Sequence, residues 1–344
     1  MKYSAEKLKS FAGQIMRAAG MDSDSSEIFA DSLITADMRG IGSHGISRLK
    51  AYSNRISRGV IAVGVSPKIL EDNGSLLLVD AQHGAGSVMA SKVMDICIQR
   101  ASENGCCFAA VKGGNHFGCS SFFTEQAAKN NMVGIAMANA PASMAPIGGK
   151  KSVLGTNPLS VAVPATKRPL ILDMATSVVA RGKVTLAAKE GRAIPKGWGL
   201  DAMGVMTEDP REVKSVLPFG GAKGFGIALI IEIFCSCLSG AMNGTTMGSM
   251  YDYSKTQDSG FFIGAFNIGG IMPIDQFKAS VDSLSDLIKN SERADGIDEI
   301  YLPGEIEYNN ADTASKKGIS LSDSIISELC ELSDKYNVPF ECAI

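Results

Sequence analysis

The sequence is poor in the features that direct a protein to a membrane, to a nucleic acid or out of the cell. It has no run of lysine and arginine, and its net charge of −3 at pH 7 argues against a nucleic-acid partner. Residues 1–21 lack the uninterrupted apolar core of a signal peptide. The most apolar window, 225–238, is too short to cross a bilayer and contains Glu232. We therefore expect a cytoplasmic protein with neither a nucleic-acid nor a membrane partner.

Metal and disulfide chemistry find little support in the sequence. The eight cysteines are spaced like neither a zinc site nor a small secreted disulfide framework, so we expect mostly buried, reduced thiols and no bound metal. Only three histidines occur, His44, His83 and His116. Histidine exchanges protons near neutral pH more readily than any other side chain, so an acid/base enzyme would have to draw on this short list.

The familiar nucleotide-binding and hydrolase fingerprints are incomplete. A strand over 75–79 and a helix over 87–104 flank Gly84-x-Gly86, but the third glycine of a dinucleotide fingerprint would fall at Met89. The glycines and lysine that open an apolar helix over 218–238 do not follow the order of a phosphate loop. No Gly-x-Ser-x-Gly elbow surrounds Ser43. These gaps argue against a Rossmann domain, a nucleotide triphosphatase and an α/β-hydrolase.

The most informative stretch that is present runs from Arg39 to Tyr52. Three glycines break any long helix there, so Ser43 and His44 are expected on a bend. Apolar residues at helical spacing resume after the bend, which places Arg48 and Tyr52 on one face of a helix. A guanidinium can hold a small carboxylate through two hydrogen bonds. Each residue alone could be a helix cap, a packed ring or a solvated charge, but four convergent polar groups favour a binding site.

His116 follows a predicted strand over 106–111 and precedes a predicted helix over 122–130, with glycines on both sides. Strand-to-helix turns of this kind expose catalytic groups in α/β proteins, although a helix-capping histidine would look the same. His116 could also pair with the thiol of Cys119, a weaker indication of nucleophilic chemistry. His83, in the turn after the first strand, is expected to be a turn residue.

A second set of residues suits an anionic ligand. Lys223 lies at the start of the apolar helix, where exposed amides and a cation favour a phosphate. Asp173 ends a predicted strand over 170–173 and is followed by a helix that carries Arg181 and Lys183.

The remaining pattern predicts an all-helical beginning followed by alternating strands and helices. A loop is expected over 191–204 and an ordered turn over 300–305. The other predicted helices cover 4–20, 22–38, 46–58, 273–290 and 322–336, and the other predicted strands cover 132–139, 159–163 and 259–271.

Several short pieces, in order along about residues 1–310, resemble the second type of malate/L-lactate dehydrogenase family, which also includes ureidoglycolate, sulfolactate and diketogulonate oxidoreductases. No single piece is specific, but the ordered set is. The pieces are Arg39-Gly40, Ser43-His44-Gly45, Arg48, Asn115-His116-Phe117-Gly118, Gly155-Thr156-Asn157-Pro158, Asp173-Met174-Ala175, Gly182-Lys183, Lys223-Gly224 and Pro303-Gly304-Glu305.

The resemblance implies a fold and an assembly. It implies an α/β (α+β) protein, with a non-Rossmann NAD(P)-binding mixed-sheet domain over residues 71–279. A helical domain made from both chain ends, residues 1–70 with 280–344, would pack against it. The usual assembly of the family is a homodimer.

The resemblance also implies an activity. The chain would be an NAD- or NADP-dependent enzyme that interconverts a small 2-hydroxy acid and its 2-oxo acid, with malate/oxaloacetate or L-lactate/pyruvate as the expected pair. His116 matches the catalytic acid/base, and the substrate-binding positions are Ser43, His44, Arg48 and Tyr52. The cofactor-binding positions are Ser120, Ala140, Thr156, Asp173, Met174, Ala175, Lys183 and Lys223. Ala140 departs from relatives that carry a serine there.

Other functions remain open at this point. Within the family, the substrate could instead be ureidoglycolate or sulfolactate. A non-redox hydrolase would use Ser43 or Cys119 with a histidine, but the adjacency of Ser43 and His44 is poor geometry for a triad. A non-catalytic nucleotide-binding protein is a third class, and turnover of 2-oxo acids would separate it from an enzyme.

Overall fold

The computed structural model describes residues 1–344 apart from the side chain of Lys189. The helices are α1 Ala5–Ala18, α2 Ser23–Met38, α3 Leu49–Ser57, α4 Gly86–Asn104, α5 Ser121–Lys129, α6 Arg181–Glu190, α7 Ala222–Glu232, α8 Ile274–Lys289, α9 Glu305–Lys317 and α10 Asp323–Tyr336. The strands are β1 Lys2–Tyr3, β2 Lys68–Asp72, β3 Leu76–Asp80, β4 Cys106–Gly114, β5 Met132–Ala138, β6 Leu159–Val163, β7 Leu170–Met174, β8 Gly199–Leu200, β9 Met206–Thr207, β10 Ser215–Val216, β11 Ser259–Asn267 and β12 Ile319–Ser320.

The main sheet has the strand order β2-β3-β4-β11-β5-β6-β7. Only β3 and β4 run parallel, and every other neighbouring pair is antiparallel. A doubly wound Rossmann sheet is mostly parallel, so this topology accounts for the incomplete dinucleotide fingerprint. The expected non-Rossmann mixed α/β fold is confirmed.

Strand register brings several turns of interest to one edge of this sheet. Ser259, at the start of β11, pairs with Gly114 at the end of β4, and Phe261 pairs with Ala138 at the end of β5. Leu159, at the start of β6, pairs with Met174 at the end of β7. The segments that follow β4, β5 and β7 therefore leave the sheet at the same edge.

The core joins this sheet to helices from both ends of the chain. In α1, Leu8 and Ile15 lie on one face and are fully buried, and Ser4 caps the helix by accepting a hydrogen bond from the Lys7 N–H. α10 packs against α1 and α3, and α9 packs against α2. On the sheet side, Phe117 stacks on Phe261 with ring centroids 4.8 Å apart. One continuous hydrophobic cluster thus fixes α3 beside the end of β4.

A smaller hydrophobic cluster positions α6 and α7. It is built around Val184 of α6, Ala228 of α7 and Val216 of β10. Strands β8, β9 and β10 form a separate three-stranded sheet next to it. The loop expected over 191–204 was therefore wrong in part, since residues 199–200 form β8. Such short strands leave little periodic signal in the sequence.

Most of the other predicted elements are present, but the short strands β1 and β12 were not predicted, and the apolar helix expected to reach residue 238 ends as α7 at Glu232. Helix α9 was not predicted beyond an ordered turn at 300–305, because its described residues are all at least partly exposed and leave no strong apolar stripe. Strand β2 was also missed. The strand expected over 259–271 ends at Asn267, whose side chain accepts a hydrogen bond from the Gly269 N–H and closes a 3₁₀ turn. His83 lies in a turn with a φ of 55°, as expected.

Among the helices of the described chain, none combines the length and the apolar character needed to cross a membrane.

Candidate active site

The bend predicted between α2 and α3 is built on the carboxyl group of Asp37. Asp37 lies near the end of α2, and its Oδ2 accepts a hydrogen bond of 2.6 Å from the Ile46 N–H. Gly45 packs directly on this carboxyl group, where a Cβ would collide with it. Ser47 Oγ donates to the Gly42 carbonyl at 2.7 Å, which closes the bend from the other side. The glycine at position 45 is therefore a steric requirement of the buried carboxyl group.

Four of the predicted site residues meet at this bend. Arg48 Nε donates to the Ser43 carbonyl at 2.6 Å, and Ser43 Oγ lies 2.9 Å from Nδ1 of His44. The His44 ring stacks on the His116 ring, with centroids 5.5 Å apart and planes 20° from parallel. His116 lies in the turn after β4, 72 positions after His44 in the sequence. The tertiary structure thus joins the two histidine-bearing stretches.

Tyr52 is placed against His116 and away from solvent. Its side chain is 3% exposed, and its hydroxyl lies 2.5 Å from Nδ1 of His116. The Phe29 ring packs edge-on against it at 5.0 Å. Gln257 fixes the other side of the turn, because its Oε1 accepts a hydrogen bond of 2.9 Å from the His116 N–H. With Nδ1 engaged, Nε2 is the ring nitrogen of His116 left for a ligand.

Both imidazoles are held in the neutral form at pH 7. Burial lowers the pKa of His116 well below its ordinary value, and the neighbouring His44 and the charge of Arg48 lower it further. Burial, followed by the charge of Arg48, lowers the pKa of His44 to about 4. Burial raises the pKa of the Tyr52 hydroxyl, which stays a neutral phenol. A neutral imidazole can accept a proton from an alcohol, so the arrangement suits acid/base chemistry.

Arg48 has a partner that the sequence did not suggest. It donates a hydrogen bond to the hydroxyl of Tyr251, and its guanidinium carbon lies 5.7 Å from the centre of that ring. Tyr251 is 59% exposed and stands 203 positions away in the sequence. No local pattern could have paired the two, since their contact depends on where the segment before β11 crosses α3.

The segments that carry the predicted cofactor-side residues are hydrogen-bonded to one another. The Thr176 N–H donates to the Thr156 carbonyl at 2.9 Å, and the Phe219 N–H donates to the Thr176 carbonyl at 3.1 Å. The Ala140 N–H donates to Oδ1 of Asn157 at 3.0 Å. These bonds bring Ala140, Thr156, the Met174-Ala175 pair and the turn before Lys223 into one region.

Glu232 is a buried side chain that the sequence analysis did not include among the site residues. It is 5% exposed, and its carboxylate accepts hydrogen bonds from Asn139 at 3.1 Å, Asn157 at 2.7 Å and the Gly244 N–H at 2.9 Å. It therefore ties α7 to the turns that carry Ala140 and Thr156. The available signal was a lone carboxylate in the most apolar window of the sequence, since a buried charge needs several partners.

Asp173 caps the helix that begins beside His116. Its Oδ2 accepts a hydrogen bond of 2.8 Å from the Ser121 N–H and one from the thiol of Cys119 at 3.2 Å. Burial raises the pKa of both Asp173 and Cys119. Cys119 is therefore a protonated thiol that donates to a carboxyl group, which argues against the nucleophile considered from the sequence.

A serine hydrolase is also poorly supported. Ser43 Oγ does reach His44, but in the described part of the chain Ser43 is the only hydrogen-bond partner of the His44 ring. The third group of a triad, which would orient the imidazole, is missing there.

The structure has features that fit a dinucleotide. The Ser120 hydroxyl, 2% exposed and next to the His116 turn, has no hydrogen-bond partner in the described chain. A cavity of about 340 Å³ is lined by Asp173 together with Pro303 and Gly304. The start of α7 has no side-chain cap, and Gly220 and Gly221 before it have positive φ values. A nucleotide would accept hydrogen bonds from the Ser120 hydroxyl and from the free amides at the start of α7, and it would occupy the cavity beside Asp173.

Lys183 and Lys223, the two lysines predicted to bind the cofactor, are both exposed and lie near different parts of the site. Lys223 is the second residue of α7. Lys183 follows Gly182 in the first turn of α6, where a Cβ on Gly182 would lie 4.0 Å from Cβ of Ser43. Lys183 is therefore next to the bend that carries Ser43. In the described residues, no group of three or more His, Cys, Asp or Glu side chains is arranged to hold a metal ion.

Comparison with known proteins gives a consistent result. The model of the family described as malate/L-lactate dehydrogenase matches residues 3–330. A malate dehydrogenase of Pyrococcus abyssi is 34% identical, over 97% of this chain and 94% of that protein. A malate/(S)-sulfolactate dehydrogenase of Methanothermus fervidus is also 34% identical, over 98% and 99%. The solved malate dehydrogenase of Entamoeba histolytica superposes with a TM-score of 0.95 at 30% identity, covering 99% of both chains. The chain therefore belongs to the malate/L-lactate dehydrogenase family of oxidoreductases.

Proposed function

We propose that this enzyme transfers a hydride between NAD(P) and carbon 2 of a small 2-hydroxy acid, with His116 as the acid/base. The observation that carries the proposal is a pair of stacked, neutral imidazoles beside a guanidinium, at a sheet edge where an unsatisfied hydroxyl also lies. Family membership supports the redox chemistry. Site geometry supports the assignment of roles to particular side chains.

In this proposal His116 moves the proton and Arg48 holds the acid group. The hydroxyl proton of the substrate passes to Nε2 of His116 in the oxidation direction and returns in the reduction direction. Nδ1 of His116 then carries its hydrogen toward the hydroxyl of Tyr52 at 2.5 Å, which fixes the tautomer. Arg48 binds the carboxylate, and His44 supplies a second neutral hydrogen-bonding group from the stacked ring. Tyr52 is thus proposed to orient His116 from behind.

The cofactor would be held by the residues that surround the turns described above. Bound nicotinamide supplies the hydride acceptor and donor. Ser120 offers its unpaired hydroxyl, and Asp173 lines the cavity beside Gly304. The uncapped start of α7, with Lys223, offers amides and a positive charge to a phosphate. Ala140, Thr156, Met174, Ala175 and Lys183 are proposed to line the same region.

The test of the function is turnover of a panel of 2-oxo acids with NADH and with NADPH. We expect oxaloacetate or pyruvate to be reduced, and the panel also includes sulfopyruvate and oxalurate for the sulfolactate and ureidoglycolate alternatives. Which acid and which cofactor are preferred is decided by kcat/KM. Binding of NADH without turnover of any acid would instead indicate a non-catalytic nucleotide-binding protein.

The roles of Arg48 and Lys223 are tested separately. Arg48→Lys keeps the charge but loses the planar fork, so we expect a higher KM and a lower kcat with the best acid. Lys223→Ala should weaken cofactor binding in a direct titration and leave the KM of the acid nearly unchanged. Wild-type kinetics in Arg48→Lys and Arg48→Met would place the carboxylate elsewhere. Unchanged cofactor affinity would remove Lys223 from the site.

We also propose that the enzyme assembles as a homodimer through the exposed apolar side of α7 and the turn that follows it. Ile230 is 51% exposed and Leu238 is 58% exposed, and Ile227, Leu229 and Ile233 extend the same apolar surface. Ile230→Asp should give a monomer in light scattering, whereas Leu76→Asp, at an exposed position of β3, should not. The cytoplasmic location expected from the sequence stays a proposal, which cell fractionation tests.

A further inference from the structure

Arg55 is a fully buried arginine whose contacts include no carboxylate. It lies in α3, three residues after Tyr52, and its side chain is 0% exposed. Nη1 donates to the carbonyls of Ser249 at 3.2 Å and Asp252 at 2.7 Å. Nη2 donates to the carbonyl of Lys255 at 3.1 Å and to Oδ1 of Asn115 at 3.2 Å. None of the ion pairs between described residues includes Arg55.

Such a residue is expensive to bury. Removing a guanidinium from water costs free energy that a directly bonded carboxylate usually offsets. All four hydrogen-bond acceptors of Arg55 are neutral oxygens, and the carboxylate of Asp252 acts on it only from beyond ion-pair distance. Nε is also buried without a hydrogen-bond partner in the described chain. An apolar side chain would fill the same space at lower cost, so the four directed hydrogen bonds are what the arginine contributes.

Those hydrogen bonds hold the segment that surrounds the catalytic histidine. Residues 249–257 carry Tyr251, which contacts Arg48, and Gln257, which accepts the His116 N–H. The fourth hydrogen bond reaches Asn115, the residue before His116. Asn115 in turn donates to the carbonyls of His83 at 2.8 Å and Gly84 at 3.0 Å. Arg55 therefore touches neighbours of His116 on both sides of its turn.

We propose that Arg55 is a positioning residue that fixes the segment 249–257 against α3, and through it sets the relative positions of Arg48 and His116. The proposal rests on the proposed function, in which Arg48 holds the carboxylate and His116 moves the proton. Arg48 lies just before α3 and His116 lies in the turn after β4, two places that are far apart in sequence. Arg55 connects them through the segment 249–257 and Asn115. It contacts no reacting atom itself.

The first test compares Arg55→Lys and Arg55→Met with Arg58→Met, a change at the exposed end of the same helix. A lysine reaches fewer carbonyls than the planar guanidinium, so we expect kcat to fall by about 10–100-fold in Arg55→Lys and the KM of the acid to rise. Counting active sites by cofactor titration removes any contribution from unfolded protein. Leu8→Ala, a cavity-forming change in α1, provides a destabilised control that should keep wild-type kcat per site.

A second test does not depend on turnover. Hydrogen exchange of the backbone amides in residues 249–257 should accelerate in Arg55→Lys and stay unchanged in Arg58→Met and Leu8→Ala. This measurement separates failure of the anchoring from failure of the proposed function, because it needs no substrate. Wild-type exchange in this segment, or wild-type kcat and KM per site in Arg55→Lys, would overturn the proposal.

A double-mutant cycle tests the route to His116. Gln257→Ala removes the acceptor of the His116 N–H and should lower kcat by itself. If Arg55 acts through the same segment, the effects of Arg55→Lys and Gln257→Ala on kcat combine to less than their product. Fully multiplicative effects would show that Arg55 and Gln257 act independently, and would overturn this route.

Discussion

Replacing Gly45 by alanine should damage both stability and substrate binding. The added Cβ would overlap the carboxyl group of Asp37, both oxygens and the carbon included. To admit it, the carboxyl group must leave, which breaks its hydrogen bond of 2.6 Å to the Ile46 N–H. The φ of Gly45 is −89°, outside the left-handed region that favours glycine, so the cost of an alanine comes chiefly from the collision.

The size of this effect follows from the two losses. A hydrogen bond to a charged or partly charged group contributes about 1.5–3 kcal/mol, and overpacking a filled site costs about 1–3 kcal/mol. We therefore expect the free energy of unfolding to fall by about 4 kcal/mol, and Tm to fall by about 6 °C for a chain of this size. Because Arg48 is held by the Ser43 carbonyl in the same bend, the KM of the 2-oxo acid should also rise.

The assay is urea unfolding followed by steady-state kinetics, with a control from the same bend. A Cβ on Gly42 would lie 3.6 Å from Oδ1 of Asp37, an ordinary contact, so Gly42→Ala should cost under about 1 kcal/mol. Asp37→Ala removes the carboxyl group that the new Cβ would meet. Introduced into the Gly45→Ala variant, it should therefore lower the free energy of unfolding by less than it does in the wild-type chain. Equal unfolding midpoints for Gly45→Ala and Gly42→Ala, or strictly additive effects with Asp37→Ala, would refute this account of the bend.

Three further predictions concern the acid/base group, the buried carboxylate and the histidine pair. His116→Asn should lower kcat by about 10²–10⁴-fold while cofactor titration gives a wild-type Kd, and an unchanged kcat would exclude His116 as the acid/base. Glu232→Leu leaves one N–H of Asn139, one N–H of Asn157 and the Gly244 N–H without their acceptor, and should cost about 3–5 kcal/mol in urea unfolding, with Glu232→Gln less severe. The pKa values of His44 and His116 are lowered in the folded state, so their contribution to stability is present above about pH 6.5 and is lost as pH falls toward 4. His44→Asn should flatten that part of the pH dependence, and an unchanged slope would count against a neutral His44.

The local sequence determined the elements and the identity of many site candidates. The spacing of Arg48 and Tyr52 placed both in one helical stretch, and the glycines around His116 predicted a turn at the end of a strand. These features depend on backbone periodicity and on residues within a few positions of one another, which a single sequence records directly. The ordered set of short motifs added the family and its cofactor class.

The tertiary structure decided which of these residues touch, and in what role. The hydroxyl of Tyr52 meets Nδ1 of His116 because the core seats α3 beside the end of β4, 64 positions away in sequence. Arg48 contacts Tyr251 because β11 enters the sheet between β4 and β5, which carries the preceding segment 249–257 past α3. For the same reason Arg55 can donate hydrogen bonds to carbonyls of that segment. Sheet order and packing are properties of the whole chain, and no local spacing encodes them. The sequence therefore determined which groups could do the chemistry, whereas long-range packing decided which of them hold the others in place.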